Sequence, residues 1–215
     1  MLSSRLPSEE TMPSDTLSYL ALGDSYTIGE SVTEKERYPS QLAQRFRQNG
    51  VIIEPTVIAT TGWTTQNLQH AITEARIKGK KYDLVSLLIG VNNQYQGKNI
   101  EEYKVQFKEL LLQAVEFAGG NTKKVFVVSI PDYGFTPFGE SNQPSISRQI
   151  DLFNAANKQI TEALGIQYFD ITPISRKGLS NPALVAADGL HPSGLQYRQW
   201  TELMWPTVLK MAQLP

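Results

Sequence analysis

The sequence predicts an α/β protein in which a parallel sheet of five strands is covered by helices on both faces. Short apolar runs alternate along the chain with stretches whose apolar residues recur at helical spacing. One of these runs, Tyr82–Ile89, is strongly apolar, which is typical of a central strand in a parallel sheet. The chain has 215 residues, enough to bury a substantial core within one domain.

The first 16 residues differ from the rest of the chain. They are polar and contain prolines, so we expect a disordered lead-in at 1–16 and a single domain at 17–215. They also lack the apolar segment of a signal peptide. This slightly favours a cytoplasmic location, whereas a signal that had been removed would place the protein in the periplasm or outside the cell.

Composition bears on the kind of partner that the protein has. Lys and Arg number 20 against 21 Asp and Glu, without a basic stripe, so we expect no nucleic acid partner. The longest apolar stretch, Leu84–Val91, is far too short to span a bilayer, and we expect no membrane insertion. The absence of cysteine excludes disulfides, thiol nucleophiles and Cys-based metal sites. The oligomeric state is left open.

The first half of the domain shows three strand candidates. Leu17–Leu22 is an apolar run that ends at the turn Gly23-Asp24-Ser25. Pro55 interrupts the second candidate, 51–59, so this strand is expected to be short or at a sheet edge. The third is the central run at 82–89. Between them, residues 40–48 and a segment that starts at Thr64 or Thr65 have helical periodicity.

The second half continues the alternation, with glycines marking the ends of helices. A loop is expected at 133–144, and 170–187 is irregular. The predicted elements are a helix at 100–118, a strand at 124–130, a helix at 145–164, a strand at 166–169 and a last helix at 194–211. Right-handed crossovers then bring all the loops that follow strands to one edge of the sheet.

Ser25 is the candidate nucleophile at this edge. A serine hydroxyl needs a neighbouring base, usually a histidine that a third group orients. The chain has two histidines, and His70 lies in the middle of a helix, where we expect an ordinary helix residue. His191 lies on a loop three residues after Asp188, so a short turn can bring the carboxylate to the imidazole. Alternatively, Asp188 is merely a capping or turn residue.

A site for acyl transfer also needs hydrogen-bond donors where negative charge develops on the substrate oxygen. The N–H of Ser25, the N–H of Gly62 and the side-chain amide of Asn92 are the candidates for this oxyanion hole. Taken singly, Gly62 is more readily a turn glycine and Asn92 a loop residue. Taken together, four strand-end loops would have to imitate one site by chance.

Four short blocks stand in order along the chain: Gly23-Asp24-Ser25-Tyr26, Gly62, Gly90-Val91-Asn92-Asn93 and Asp188-Gly189-Leu190-His191. In this order they resemble the motifs of the SGNH (GDSL) hydrolase family of serine esterases. The resemblance implies a three-layer α/β/α sandwich of the flavodoxin-like kind and ester hydrolysis without metal or cofactor. It also implies a catalytic triad of Ser25, Asp188 and His191 and an oxyanion hole of Ser25, Gly62 and Asn92.

One position departs from the family's pattern, because Asn93 stands where the family usually has aspartate. The change removes a charge from the loop and puts substrate choice in doubt. Tyr26, Trp63, Asn93 and Tyr133 are the candidate substrate-binding residues. Their neighbours on the same edge, Gln94, Tyr95 and Phe138, add to a mixture of aromatic and amide groups that suits a short acyl chain or a sugar.

Small-molecule esters are therefore the expected substrates, whether short acyl esters, acetyl-sugar esters or lysophospholipid-like esters. One alternative is a non-catalytic flavodoxin-like module that binds a nucleotide or a flavin, and another is a scaffold that binds a partner. The stretch Gly23–Ser31 offers hydroxyl groups for a phosphate but has neither the G-x-G-x-x-G nor the P-loop spacing. A metallohydrolase is poorly supported by two distant histidines and no cysteine.

Overall fold

The computed structural model describes residues 16–213, and the proposed lead-in therefore lies, except for Thr16, outside the described residues. Five strands form one parallel sheet in the order β2-β1-β3-β4-β5. The strands are β1 (Leu17–Gly23), β2 (Ile53–Ala59), β3 (Leu84–Leu88), β4 (Val125–Val128) and β5 (Gln167–Phe169). The sheet confirms the predicted fold class.

The strand order agrees with the apolar patterns of the individual strands. All five residues of β3 are buried, as expected of a strand covered on both faces. β2 lies at one edge and places Pro55 opposite Tyr19 of β1. Proline is tolerated there because an edge strand leaves one row of its N–H groups without a neighbouring strand. The edge position of β2 is thus confirmed, but with seven residues the strand is not short.

Helices cover the sheet in two layers. Right-handed crossovers put the helix of the β1-to-β2 connection on one face and the helices of the later connections on the other. Accordingly, α2 and α8 pack together, while α5 packs against both α3 and α6. The helices are α1 (Ser25–Ile28), α2 (Tyr38–Gln48), α3 (Thr65–Glu74), α4 (Val91–Tyr95), α5 (Ile100–Phe117), α6 (Gln143–Ala163), α7 (Thr172–Ser175) and α8 (Gly194–Ala212).

Aromatic side chains fill the core between the sheet and the α2–α8 layer. Trp200 is fully buried and contacts Tyr197 edge-on, with ring centroids 4.8 Å apart. Tyr38 and Tyr19 both hydrogen-bond to the hydroxyl of Ser86, at 3.1 and 2.7 Å. These bonds satisfy the polar atom that interrupts the apolar run of β3. Within residues 16–213, no helix is both long and apolar enough to cross a bilayer.

The sequence did not predict the two short helices that follow strands directly. One residue separates β1 from α1, which begins at Ser25, and two residues separate β3 from α4, which begins at Val91. Both were expected to be loops, because four or five residues are too few to show helical periodicity. α7 likewise lies in the stretch 170–187 that was expected to be irregular. Short helices of this kind fix the side chains at the functional edge.

Candidate active site

Ser25 lies at a sharp bend between β1 and α1. Gly23 ends the strand, and a Cβ atom at this position would overlap the side chain of Thr27 and the carbonyl of Leu88. Glycine is therefore the residue that allows the chain to turn so closely here. Ser25 follows as the first residue of α1 and is mostly buried, and its side chain borders a cavity.

Asp24 caps α1 from a fully buried position. Its Oδ1 atom accepts a hydrogen bond from the N–H of Tyr26 at 3.1 Å. Its Oδ2 atom has no hydrogen-bond partner among residues 16–213. Burial raises the pKa of Asp24 to about 7, although backbone hydrogen bonds from Tyr26 and Gly90 act in the opposite direction. A buried carboxyl group whose pKa is raised well above its ordinary value therefore lies next to the candidate nucleophile in the sequence.

Asp188 and His191 form a closely bonded pair at the same edge of the sheet. The Oδ2 atom of Asp188 lies 2.6 Å from Nδ1 of His191. The other carboxylate oxygen, Oδ1, accepts the backbone N–H groups of Leu190 and His191 at 2.9 and 3.0 Å. Asp188 is thus a turn residue and a partner of the imidazole at once, and the helix α8 is capped instead by Ser193.

Ser31 is a further partner of Asp188 that the sequence did not indicate. Its hydroxyl donates a hydrogen bond to Asp188 Oδ2 at 2.7 Å. Partial burial acts to raise the pKa of Asp188, but the hydrogen bonds from Ser31, the His191 side chain and two backbone N–H groups outweigh it. The pKa of Asp188 is therefore well below its ordinary value, and the side chain is a carboxylate at neutral pH.

The candidate nucleophile and the candidate base border one cavity of about 190 Å³. The His191 ring lies edge-on to the ring of Tyr26, with centroids 5.7 Å apart. Within residues 16–213, no hydrogen bond joins the Ser25 hydroxyl to His191; such bonds are often long until substrate is present. The cavity is lined by Ser25, Tyr26, Thr61, Gly62, Val91, Asn92, Tyr95, Tyr133, Phe138, Leu190 and His191.

The structure brings both remaining oxyanion candidates to this cavity. Gly62 has a φ of +85°, in the left-handed region that favours glycine. Asn92 is the second residue of α4, and its Nδ2 atom donates to the carbonyl of Trp63 at 2.9 Å. This bond uses one of the two amide hydrogens and orients the other. The two loops are therefore tied together directly beside Ser25.

Of the four candidate substrate-binding residues, Tyr26 and Tyr133 line the cavity, and Trp63 and Asn93 do not. The Trp63 side chain packs against the hydrophobic core, and its part in the site is the carbonyl that holds Asn92. Asn93 is buried, and its amide both accepts from the N–H of Thr65 and donates to the Thr65 hydroxyl, at 3.0 and 2.8 Å. It therefore joins α4 to the start of α3.

This arrangement gives a physical reason for asparagine at position 93. The hydroxyl of Thr65 donates to Gln106, so it needs a donor for its own lone pair. An asparagine amide can supply that donor, whereas an ionised aspartate can only accept. The departure from the family's motif thus belongs to the packing between helices and removes no group from the cavity.

His70 is not among the residues that line this cavity. It is an exposed residue of α3, and its Nε2 atom is 3.2 Å from a carboxylate oxygen of Glu74 one turn later. This agrees with the ordinary helix position expected for it. Throughout residues 16–213, His, Asp and Glu side chains form no group of three that could hold a metal ion.

Solved structures, among them those of esterases, resemble this fold at low sequence identity. The crystal structure of TesA superposes with a TM-score of 0.71 at 16% identity, covering 90% of this chain and 99% of that one. EstA, a psychrotrophic esterase from Pseudoalteromonas sp., gives 0.69 at 15% identity, with coverage of 92% and 99%. Axe2, an acetylxylan esterase from Geobacillus stearothermophilus, gives 0.68 at 20% identity, with coverage of 95% and 98%.

The sequence itself places the chain in a family. A search of curated proteins finds no match. The model of the GDSL-like lipase/acylhydrolase family matches residues 21–199, a range that includes the bend at Ser25, the loops of Gly62 and Asn92, and the Asp188–His191 pair. The chain therefore belongs to the GDSL-like lipase/acylhydrolase family and is a carboxylic ester hydrolase.

Proposed function

We propose that the protein is a serine esterase with Ser25 as nucleophile, His191 as general base and Asp188 as the group that orients the base. The observation that carries this proposal is the 2.6 Å bond between Asp188 Oδ2 and His191 Nδ1. That bond fixes the proton on Nδ1 and leaves Nε2 unprotonated, as a base requires. His191 and Ser25 border the same cavity, which supports a proton transfer between them once substrate is bound.

The reaction follows from these positions in two steps. Ser25 Oγ attacks the ester carbonyl carbon while His191 Nε2 takes its proton, and the tetrahedral intermediate then expels the alcohol with that proton. Water next attacks the acyl-enzyme, again losing a proton to His191, and the carboxylic acid leaves as Ser25 regains its hydrogen. The N–H groups of Ser25 and Gly62 and the amide of Asn92 stabilise the oxyanion in both steps.

The cavity favours small acyl groups. Its volume of about 190 Å³ is below the range of roughly 300–1,000 Å³ typical of drug-sized ligands. Apolar side chains from three segments, Val91, Phe138 and Leu190, border it together with the tyrosines. We expect acetyl and butyryl esters to be hydrolysed with a higher kcat/KM than octanoyl esters.

The test compares p-nitrophenyl acetate, butyrate and octanoate as substrates of the wild type and three variants. Ser25→Ala and His191→Ala should each lower kcat by on the order of a millionfold. His70→Ala is the matched control, because His70 is exposed on α3, and it should keep wild-type activity. Undiminished turnover by Ser25→Ala would overturn the proposed mechanism.

A fluorophosphonate label provides a second readout that does not depend on the choice of ester. It should modify Ser25 in the wild type and fail to modify Ser25→Ala. Failure to label the wild type would favour the alternative of a non-catalytic binding module or scaffold.

A further inference from the structure

A second cavity adjoins the one that contains Ser25. It has a volume of about 360 Å³ and shares three aromatic residues, Tyr95, Tyr133 and Phe138, with the first. We call these three residues the aromatic wall. The other residues that line the second cavity are Gln94, Gly97, Asn142, Ile146 and Gln149.

The aromatic wall is a compact cluster with an open side. Its three ring centroids lie 6.1 to 6.3 Å from one another. Tyr133 is buried, whereas Tyr95 and Phe138 keep 60% and 51% of their surface exposed. Large aromatic residues that stay exposed beside a cavity are typical of ligand-binding surfaces, because the apolar ring faces gain from being covered.

The second cavity is rich in amide groups. Gln94 is only 6% exposed, and its Nε2 atom donates to Oε1 of Gln149 at 2.8 Å. The Oε1 atom of Gln94 has no hydrogen bond to any residue from 16 to 213, although the Tyr133 side chain lies nearby. Gln94 therefore holds the amide of Gln149 at the cavity. Gln149 is exposed, and its amide can form a further hydrogen bond with a ligand hydroxyl.

The lining also restricts the charge of the ligand. Among residues 16–213, no Lys, Arg, Asp or Glu side chain borders either cavity, and the only basic residue of the two linings is His191. The side chains that usually recognise phosphate groups are arginine and lysine. The lining therefore disfavours a phospholipid headgroup and favours a neutral group that both donates and accepts hydrogen bonds.

From these observations we infer that the second cavity binds a sugar in the alcohol part of the ester, with its ring against the aromatic wall and its hydroxyls on the amides of Asn142 and Gln149. The inference rests on the proposed function, because it assigns the alcohol side of the same ester. The smaller cavity then receives the acyl group, so acetylated sugars are the substrate class.

The kinetic test compares two acetate esters that differ in the alcohol, methyl 6-O-acetyl-α-glucopyranoside and ethyl acetate, in a pH-stat assay. The wild type should show at least about a tenfold higher kcat/KM for the sugar ester. Gln149→Ala should lower that value by about 3- to 10-fold through KM, which is the effect of one neutral hydrogen bond, and should affect ethyl acetate less. Gln94→Met removes the donor that holds Gln149 and should act in the same direction. Gln96→Met is the matched control, because Gln96 is exposed and lies outside both linings.

The binding test separates failure of this inference from failure of the proposed function. Saturation-transfer NMR with the Ser25→Ala protein should show contact to the ring protons of the sugar ester, and Gln149→Ala should weaken it. Absence of that contact would overturn the inference even if the esterase reaction proceeds on other substrates. Equal kcat/KM values for the two acetates would also overturn it. So would an effect of Gln94→Met that is larger on p-nitrophenyl octanoate than on the sugar ester, because that result would assign the second cavity to an acyl chain.

Discussion

Ser31 and His191 hydrogen-bond to the same oxygen of Asp188, at 2.7 and 2.6 Å. Ser31 has a φ of 64°, and only one other residue apart from glycine among residues 16–213 has a positive φ. A side chain in this region of backbone space costs about 1–2 kcal/mol relative to the right-handed region. The cost is compensated by a hydrogen bond that holds the carboxylate against the imidazole.

We therefore expect Ser31→Ala and Ser31→Gly to lower kcat by about 10- to 150-fold, because a hydrogen bond to a charged group is worth roughly 1.5–3 kcal/mol. The two variants should differ in stability. Glycine relieves the positive φ and should raise the free energy of unfolding by about 1 kcal/mol over alanine. Steady-state kinetics and urea denaturation measure both effects. Wild-type kcat in both variants would show that the imidazole is positioned without Ser31.

Asp24 should make the stability of the protein depend on pH. Its pKa is about 7 in the folded protein, against about 3.9 in an unfolded chain, so the folded state binds the proton more tightly. Stability from this group is complete below about pH 4 and declines as the pH rises through 7. Asp24→Asn removes the titration, so its free energy of unfolding relative to the wild type should be more favourable at pH 8 than at pH 5. Urea denaturation at both pH values measures the difference, and an identical difference at the two would contradict the assignment.

Asn93→Asp tests why an amide stands at this position. A buried carboxylate cannot donate to the Thr65 hydroxyl, so we expect a loss of about 1–3 kcal/mol in the free energy of unfolding at pH 8. The loss should be smaller at pH 5, because a protonated aspartate can donate. Asn181→Asp, at an exposed position whose side chain caps nothing, is the control and should change little. A stability unchanged at both pH values would show that the Thr65 hydroxyl finds another donor.

Asn92→Ala should lower kcat by about a hundred- to a thousandfold with little change in KM, since we propose that its amide stabilises the oxyanion. Trp63→Phe keeps the backbone carbonyl that orients this amide and should stay close to wild-type kcat. p-Nitrophenyl acetate kinetics compare the two. If both variants lost activity equally, the indole of Trp63 rather than its carbonyl would be the part that matters.

The fold could be predicted because its strands and helices follow from patterns of residues that are close together in the sequence. Apolar runs of strand length are visible in the sequence, and Pro55 alone indicated the edge position of β2. The nearness of Ser25, Gly62, Asn92 and His191 also followed from topology, since all four lie beyond the ends of parallel strands.

The parts that could not be predicted depend on contacts between distant segments. Ser31 and Asp188 are 157 residues apart, and the sequence around Ser31 does not differ from that of an ordinary polar loop. The direction of a side chain was equally hidden: Trp63 and Asn93 stand within the motif loops, but their side chains point to the core and to Thr65. Leu190 lies inside the last motif and lines the cavity, but nothing in the sequence indicated that its side chain would do so.

The composition of the aromatic wall has a consequence for how such an enzyme could diversify. Tyr95 is carried by the same short helix as Asn92, so replacing it risks moving the oxyanion donor. Tyr133 and Phe138 come instead from the segment between β4 and α6, which holds none of the proposed catalytic groups. If the aromatic wall receives the alcohol as proposed, changes in this segment alter the accepted alcohol and leave the catalytic residues untouched. The segment is therefore the first target for directed evolution.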